Sequence, residues 1–284
     1  GLEVSPDGSS FRMNSRFAQF VNLPELMGLF RQVADIKTKE MLQLPTPGVR
    51  GGGPQTCLVQ PSPQLKAYVA ALVKRADAIK NRQVKPDQDN MLAVTNDGRK
   101  AALDLRLVDP GFEPDDTGKL AACAAKVRDI WEQTESFRGT QIIFCDLGTP
   151  SSKRFSVYQD LKRRLMQLGV PTTEIAFIHD ASTDAAKEAL FAQMREGTVR
   201  VMIASTAKAG IGTNVQTRLY AVHHLDVPWR PADIEQRNGR AERRGNTCEF
   251  IEIWLYVTEG SFDAYSWQLV AAKAKFIAQV MAGD

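Results

Sequence analysis

Gln236-Arg237-Asn238-Gly239-Arg240-Ala241-Glu242-Arg243-Arg244-Gly245-Asn246, shortly after Trp229-Arg230-Pro231, sets two arginines three residues apart and a glutamine four before the first of them. On a helix such positions share a face, so Gln236, Arg240 and Arg243 are expected to converge on one target. A guanidinium is planar, permanently charged and forked, and two together suit the oxygens of a phosphoryl group in transfer, where one positioned arginine is worth roughly 10³ to 10⁵ in rate. Taken alone, a run with four arginines against one glutamate over residues 237–244 is as readily a solvated basic face.

Upstream, Ser205-Thr206-Ala207-Lys208-Ala209-Gly210-Ile211-Gly212-Thr213-Asn214-Val215 follows an apolar strand pattern, Val199 to Ala204. Gly210 and Gly212 permit close backbone approach or positive φ, and the N–H groups and hydroxyls of such a loop can face phosphates. The loop is no dinucleotide fingerprint, which needs a glycine at Val215. By itself it is equally a tight turn from strand to helix.

Gly-x-x-x-x-Gly-Lys-Ser/Thr and an Asp-Glu-x-His/Asp box are both absent from the sequence. Gly118-Lys119 leads into Leu120, and Glu113 stands where the first glycine would be, so no loop here cradles a β-phosphate and holds magnesium through a hydroxyl.

Composition is that of a globular protein, with 43% hydrophobic and 24% charged residues in 284, enough for one large or two smaller domains. A net charge of +3 supplies no global basic field, so a case for nucleic acid rests on local clusters. Cys57, Cys123, Cys145 and Cys248 show no Cys-x-x-Cys spacing and read as buried thiols, and no metal is expected. His223-His224 would point to opposite faces of a strand and cannot share an ion, so both read as structural. Asp226, Asp233 and Glu235 find no second signal for acid–base work. Trp229 is either a core anchor or a residue near a nucleic-acid track. No apolar run reaches the roughly eighteen residues of a membrane span, and Gly1-Leu2-Glu3-Val4-Ser5-Pro6 carries neither initiator methionine nor signal peptide. The expectation is a cytoplasmic chain cut from a longer protein.

From Thr117 onward, helix and strand patterns alternate. Helices are expected at Lys119 to Glu135, Arg154 to Leu168 and Asp184 to Arg195, strands at Gln141 to Cys145, Glu174 to Ile178, Val199 to Ala204, Leu219 to Leu225 and Glu249 to Val257, and a closing helix after Ser261. That order implies an α/β fold with a parallel sheet covered by helices on both faces. Residues 1–115 read as a mostly helical extension with a strand near Gln55 to Gln60. Pro45 to Pro54, with Gly48 and Gly51 to Gly53, is the most linker-like stretch. The boundary is expected at residues 115–116.

The two quoted blocks resemble the fifth and sixth motifs of superfamily-two helicases and translocases, in the form found in the Snf family of DNA translocases. Gln141 to Cys145 resembles the fourth-motif strand, Asp226, Trp229 and Pro231 the Asp-x-x-Trp-x-Pro segment, Lys119-Leu120 the opening of the lobe, and Cys57 to Gln64 with Tyr68, more loosely, the strand and helix start upstream. Asn246 stands where that family usually has Gln, Asp146 replaces a Gln, and Ile211 a Leu. The resemblance implies that residues 116–284 are a RecA-like second motor lobe. It implies that Arg240 and Arg243 reach the γ-phosphate, that Gln236 lines the interlobe cleft, and that Gly210, Gly212 and Asn214 touch nucleotide or partner lobe. Ser205, Thr206, Lys208 and Trp229 would lie on DNA. ATP and Mg would act in a complete motor whose phosphate-loop lobe is a partner lying outside this chain, and the chain alone is expected to be inactive, with neither held stably. The alternative is a non-catalytic RecA-like module that binds nucleic acid or a partner.

Overall fold

Residues 2–5, 11–13, 22–34, 44–209 and 214–282 are described by a computed structural model. The centre is a parallel sheet. β5 (Thr140–Phe144), β7 (Val201–Ala204) and β8 (Leu219–His224) are buried at every position, as strands covered on both faces must be, which is why their sequences run mostly apolar instead of alternating, with Thr140, Gln141, His223 and His224 the buried polar exceptions. β6 (Ile175–Phe177) closes one edge and β9 (Phe250–Thr258) extends the other, giving the order β9-β8-β5-β7-β6.

Side-chain alternation along β5 distributes the core. Ile143 points with Ile203 and Tyr256 toward α4 (Lys119–Gln133) and α5 (Val157–Gln167), whose Leu120, Ala124, Val127, Tyr158, Leu161 and Leu165 cover that face. Ile142 and Phe144 point to the other face with Met202, Val222 and Ile253, under Leu190, Phe191 and Met194 of α6 (Asp184–Glu196). Thr183 caps α6 by accepting the Ala186 N–H at 3.1 Å, and Gly197 at φ 81° ends it. α7 (Pro231–Asn238) and α8 (Phe262–Ala282) complete the lobe. This is the RecA-like architecture expected from the sequence. Among the described residues no helix is long and apolar enough to cross a membrane.

The segment before residue 116 contributes β1 (Leu2–Val4) paired antiparallel with β2 (Phe11–Met13), then α1 (Leu23–Arg31), β3 (Gly48–Val49), β4 (Gln55–Val59), α2 (Pro63–Lys80) and α3 (Met91–Leu103). β3 and β4 both join β9 in parallel, Val49 opposite Ile251 and Cys57 opposite Tyr256, so the sheet draws on both sides of residue 116. The stretch read as a linker is therefore in part strand. Its glycines have local tasks. A Cβ at Gly48 would sit 3.0 Å from Phe250 Cδ1, and Gly51 and Gly52 take φ of 75° and 79° in the turn between the strands.

Candidate functional site

β5, β7 and β8 end side by side, and the loops after them meet α7 at the carboxyl edge of the sheet, where open α/β folds bind ligands. At that junction lies Arg237, only 1% exposed. Its Nε donates to Thr206 Oγ1 at 2.9 Å, Nη1 to the Asp226 carbonyl at 3.1 Å, and Nη2 to Asp146 Oδ2 at 2.8 Å and Asp226 Oδ1 at 3.0 Å. Burial works against its charge, but Asp226 and Asp146 outweigh burial and hold its pKa above the usual arginine value. Asp226 is itself anchored, its Oδ2 accepting the N–H groups of Asp146 at 2.6 Å and Leu147 at 3.1 Å. Asp146 Oδ1 accepts the Thr206 N–H at 2.6 Å, and its Oδ2 accepts the Thr206 hydroxyl at 2.9 Å. One guanidinium thus ties together the ends of three strands.

The structure corrects the helical geometry expected of the arginines. α7 stops at Asn238, because Gly239 and the residues after it close a succession of tight turns: the Ala241 N–H donates to the Asn238 carbonyl at 2.9 Å and the Arg243 N–H to the Ala241 carbonyl at 2.8 Å. Arg240 and Arg243 therefore leave from a turn, and Gln236 from the half-buried side of the helix before it. Arg240 is 9% exposed, and burial, with a smaller contribution from the Arg243 charge, lowers its pKa. Arg243 and Arg244 are exposed.

In the loop after β7, Ser205 is buried and its Oγ accepts the Lys208 N–H at 3.4 Å, while Lys208 is exposed. Thr206 is buried, and its N–H and hydroxyl both serve the Asp146–Arg237 cluster. Asn214 is exposed, and its carbonyl accepts Arg195 Nη1 at 2.7 Å. Gly210 and Gly212 lie outside the described residues. Trp229 is 47% exposed, with the Arg99 guanidinium 4.3 Å from its ring centroid and its carbonyl accepting Lys273 Nζ at 3.0 Å. It is a partly open ring backed by a cation and no core anchor.

His223 is bonded to Tyr256 Oη at 2.9 Å and Gln141 Oε1 at 3.0 Å, and His224 Nε2 to Asn238 Oδ1 at 2.7 Å, on opposite faces of β8. Burial lowers both imidazoles to about 3. Reasoning from sequence missed Arg237, Asp146 and Arg99 as parts of this site. The available signal was an acidic residue, Asp146, where the resemblance called for an amide, together with an arginine at an unconstrained position of the sixth motif.

Residues 125–245 match the family model of the helicase conserved C-terminal domain. The "Defense against restriction protein B" of Escherichia phage P1 is 35% identical over 97 residues, covering 34% of this chain and 4% of that protein, so the chain spans only a small part of the length of that curated relative. Among solved structures, the C-terminal part of the Fun30 ATPase domain superimposes with a TM-score of 0.46 at 21% identity, covering 57% of this chain and 49% of that one. S. cerevisiae Dbp5 bound to RNA and ADP BeF3 gives 0.39 at 21% identity, over 55% and 36% of the two chains. The E. coli DEAD-box protein SrmB gives 0.37 at 17%, over 49% and 72%. Residues 125–245 are thus similar to a helicase C-terminal domain, and the strand order and parallel register described above carry the fold.

Proposed function

We propose that this chain is the second motor lobe of an ATP-dependent DNA translocase or helicase of the Snf kind, working against a first lobe that holds the phosphate loop, ATP and Mg. The observation that carries this reading is the placement of Arg240 and Arg243 on the turn after α7, at the carboxyl edge of the sheet and inside the span that matches the helicase C-terminal domain. Two forked guanidiniums on one turn suit the oxygens of a phosphoryl group held between lobes.

Bound ATP supplies the phosphoryl group to be transferred. Arg240 and Arg243 stabilise charge that develops on its oxygens, Gln236 lines the cleft, and Gly210, Gly212 and Asn214 flank the nucleotide or the partner lobe. Lys208 and the Ser205 end of the same loop face the DNA backbone. Trp229 borders that track. Contacts to phosphates position a strand without reading its sequence, as a motor moving along any sequence requires.

The test is DNA-stimulated ATP turnover by the full-length protein. Arg240→Ala and Arg243→Ala should each lower kcat by roughly 10² or more with a smaller change in ATP affinity, and lysine should not restore it. Arg244→Ala, an exposed neighbour, should be nearly silent. Equal losses at all three positions, in variants whose thermal unfolding is unchanged, would return the run to a solvated basic face.

A further inference from the structure

We infer that Asp146, Thr206 and Arg237 form a latch through which a nucleic-acid contact on the loop after β7 reaches the arginine-bearing turn after α7. The inference rests on the function proposed above and deepens it: it takes Thr206 out of the DNA-contacting set and makes it a positioning residue.

Hydrogen-bonding capacity is the first reason. The Thr206 hydroxyl donates its one proton to Asp146 Oδ2 and accepts from Arg237 Nε, while its N–H is spent on Asp146 Oδ1. A hydroxyl with its donor committed and its oxygen already facing a guanidinium is a poor ligand for a phosphate. Lys208, two residues on, is exposed, and its backbone is tied to Ser205. A phosphate that draws on Lys208 therefore pulls a loop whose root is clamped by the cluster.

Charge is the second reason. Arg237 is neutralised by Asp226, which is buried and fixed by two loop N–H groups. Asp146 is a second carboxylate, and with Asp226 it also faces the half-buried Arg99 guanidinium. What it adds is connection, because its two oxygens bridge the loop after β7 to α7, and its own N–H holds Asp226 in the loop after β8. The output lies three residues beyond Arg237, whose carbonyl accepts the Arg240 N–H at 3.3 Å. A charge-assisted, partly buried chain of bonds between the two loops is a physical link of the kind that carries coupling between sites.

The experiment uses the 284-residue chain with isotope-labelled arginine, following the Nε–Hε NMR signals of Arg240 and Arg243 as duplex DNA is added. Wild type should bind, and both signals should shift. Thr206→Val, which keeps the shape and removes the hydroxyl, should bind DNA with an affinity near that of wild type and lose most of the shift. Thr206→Ser should restore it. Asp146→Asn, which keeps the side chain's shape and removes its charge, should behave like the valine variant and supplies the comparison if Thr206→Val does not fold. An undiminished shift in the folded valine or asparagine variant would overturn the latch and leave the proposed function standing. DNA binding with both arginine signals still in wild type would do the same. No DNA binding by wild type would overturn the reading on which the latch rests, and the latch with it.

Discussion

Replacing Arg237 by methionine keeps most of the stem that lies beside Phe144, where the guanidinium carbon is 5.4 Å from the ring centroid, and removes the charge. Four hydrogen bonds disappear, and Asp226, whose side chain is 3% exposed, is left as a carboxylate without its cation. Removing one partner of a buried pair costs about 3–5 kcal/mol. At about 2–4 °C per kcal/mol for a domain of this size, Tm should fall by roughly 6–20 °C. The Asp146 side chain is 34% exposed, so solvent screens its part of the cluster and Asp146→Asn should cost under about 1 kcal/mol. Arg237→Met combined with Asp226→Asn should recover part of the loss, because the stranded charge goes with its partner. Thermal and urea unfolding followed by circular dichroism measure all three. If Arg237→Met unfolds within about 1 kcal/mol of wild type, or if Asp146→Asn costs as much as Arg237→Met, the assignment of Asp226 as the principal counter-charge is wrong.

Two further outcomes follow from groups away from the arginines. His223 and His224 are buried and held at about 3, so they are neutral in both states above their unfolded pKa of about 6.5 and take up protons first in the unfolded chain below it. The urea midpoint should therefore be flat from pH 8 to about 6.5 and decline as pH falls from there toward 3. Asp160 adds a later loss: burial raises its carboxyl, but Arg163, Arg164 and Arg106 outweigh burial and hold it at about 2, so its contribution is present above about pH 4 and vanishes toward 2. A midpoint constant from pH 6.5 to 5 would refute the histidine assignment. At the sheet edge, Gly48→Val brings side-chain carbon onto Phe250 and should release β3 from β9. New proteolytic cleavage between Pro45 and Pro54 with little change in Tm is expected, whereas a large drop in Tm would show that this edge supports the whole sheet.

The parts of the fold visible in the sequence were those whose physics is local. Ile-Ile-Phe from Ile142 and Val-Met-Ile-Ala from Val201 are apolar throughout because both faces are covered, and Thr183 and Gly197 mark the ends of α6. β3 was read as linker because its identity as a strand comes from β9, two hundred residues away, and a glycine there makes room for Phe250. The arginine motif was placed correctly at the carboxyl edge but given the wrong local geometry. A spacing of three implies a shared face only while the helix lasts, and α7 ends at Asn238.

Arg237 shows why part of the site was out of reach. In the sequence it is one of four arginines in a short basic run, and nothing in the run itself distinguishes it. Its role is set by Asp146 and Asp226, which come from the ends of other strands and meet it only after the sheet has formed. Folding then sorts the run by burial: Arg237 turns inward to two carboxylates, Arg240 is almost covered, and Arg243 and Arg244 face solvent. A solvated basic face would show no such gradient, since desolvating an arginine without a counter-charge is expensive. The innermost arginine has its carboxylates within the chain, and the arginines after it stand progressively nearer solvent. The gradient leaves Arg243 and Arg244 at the surface of the carboxyl edge, where the proposed second lobe would close.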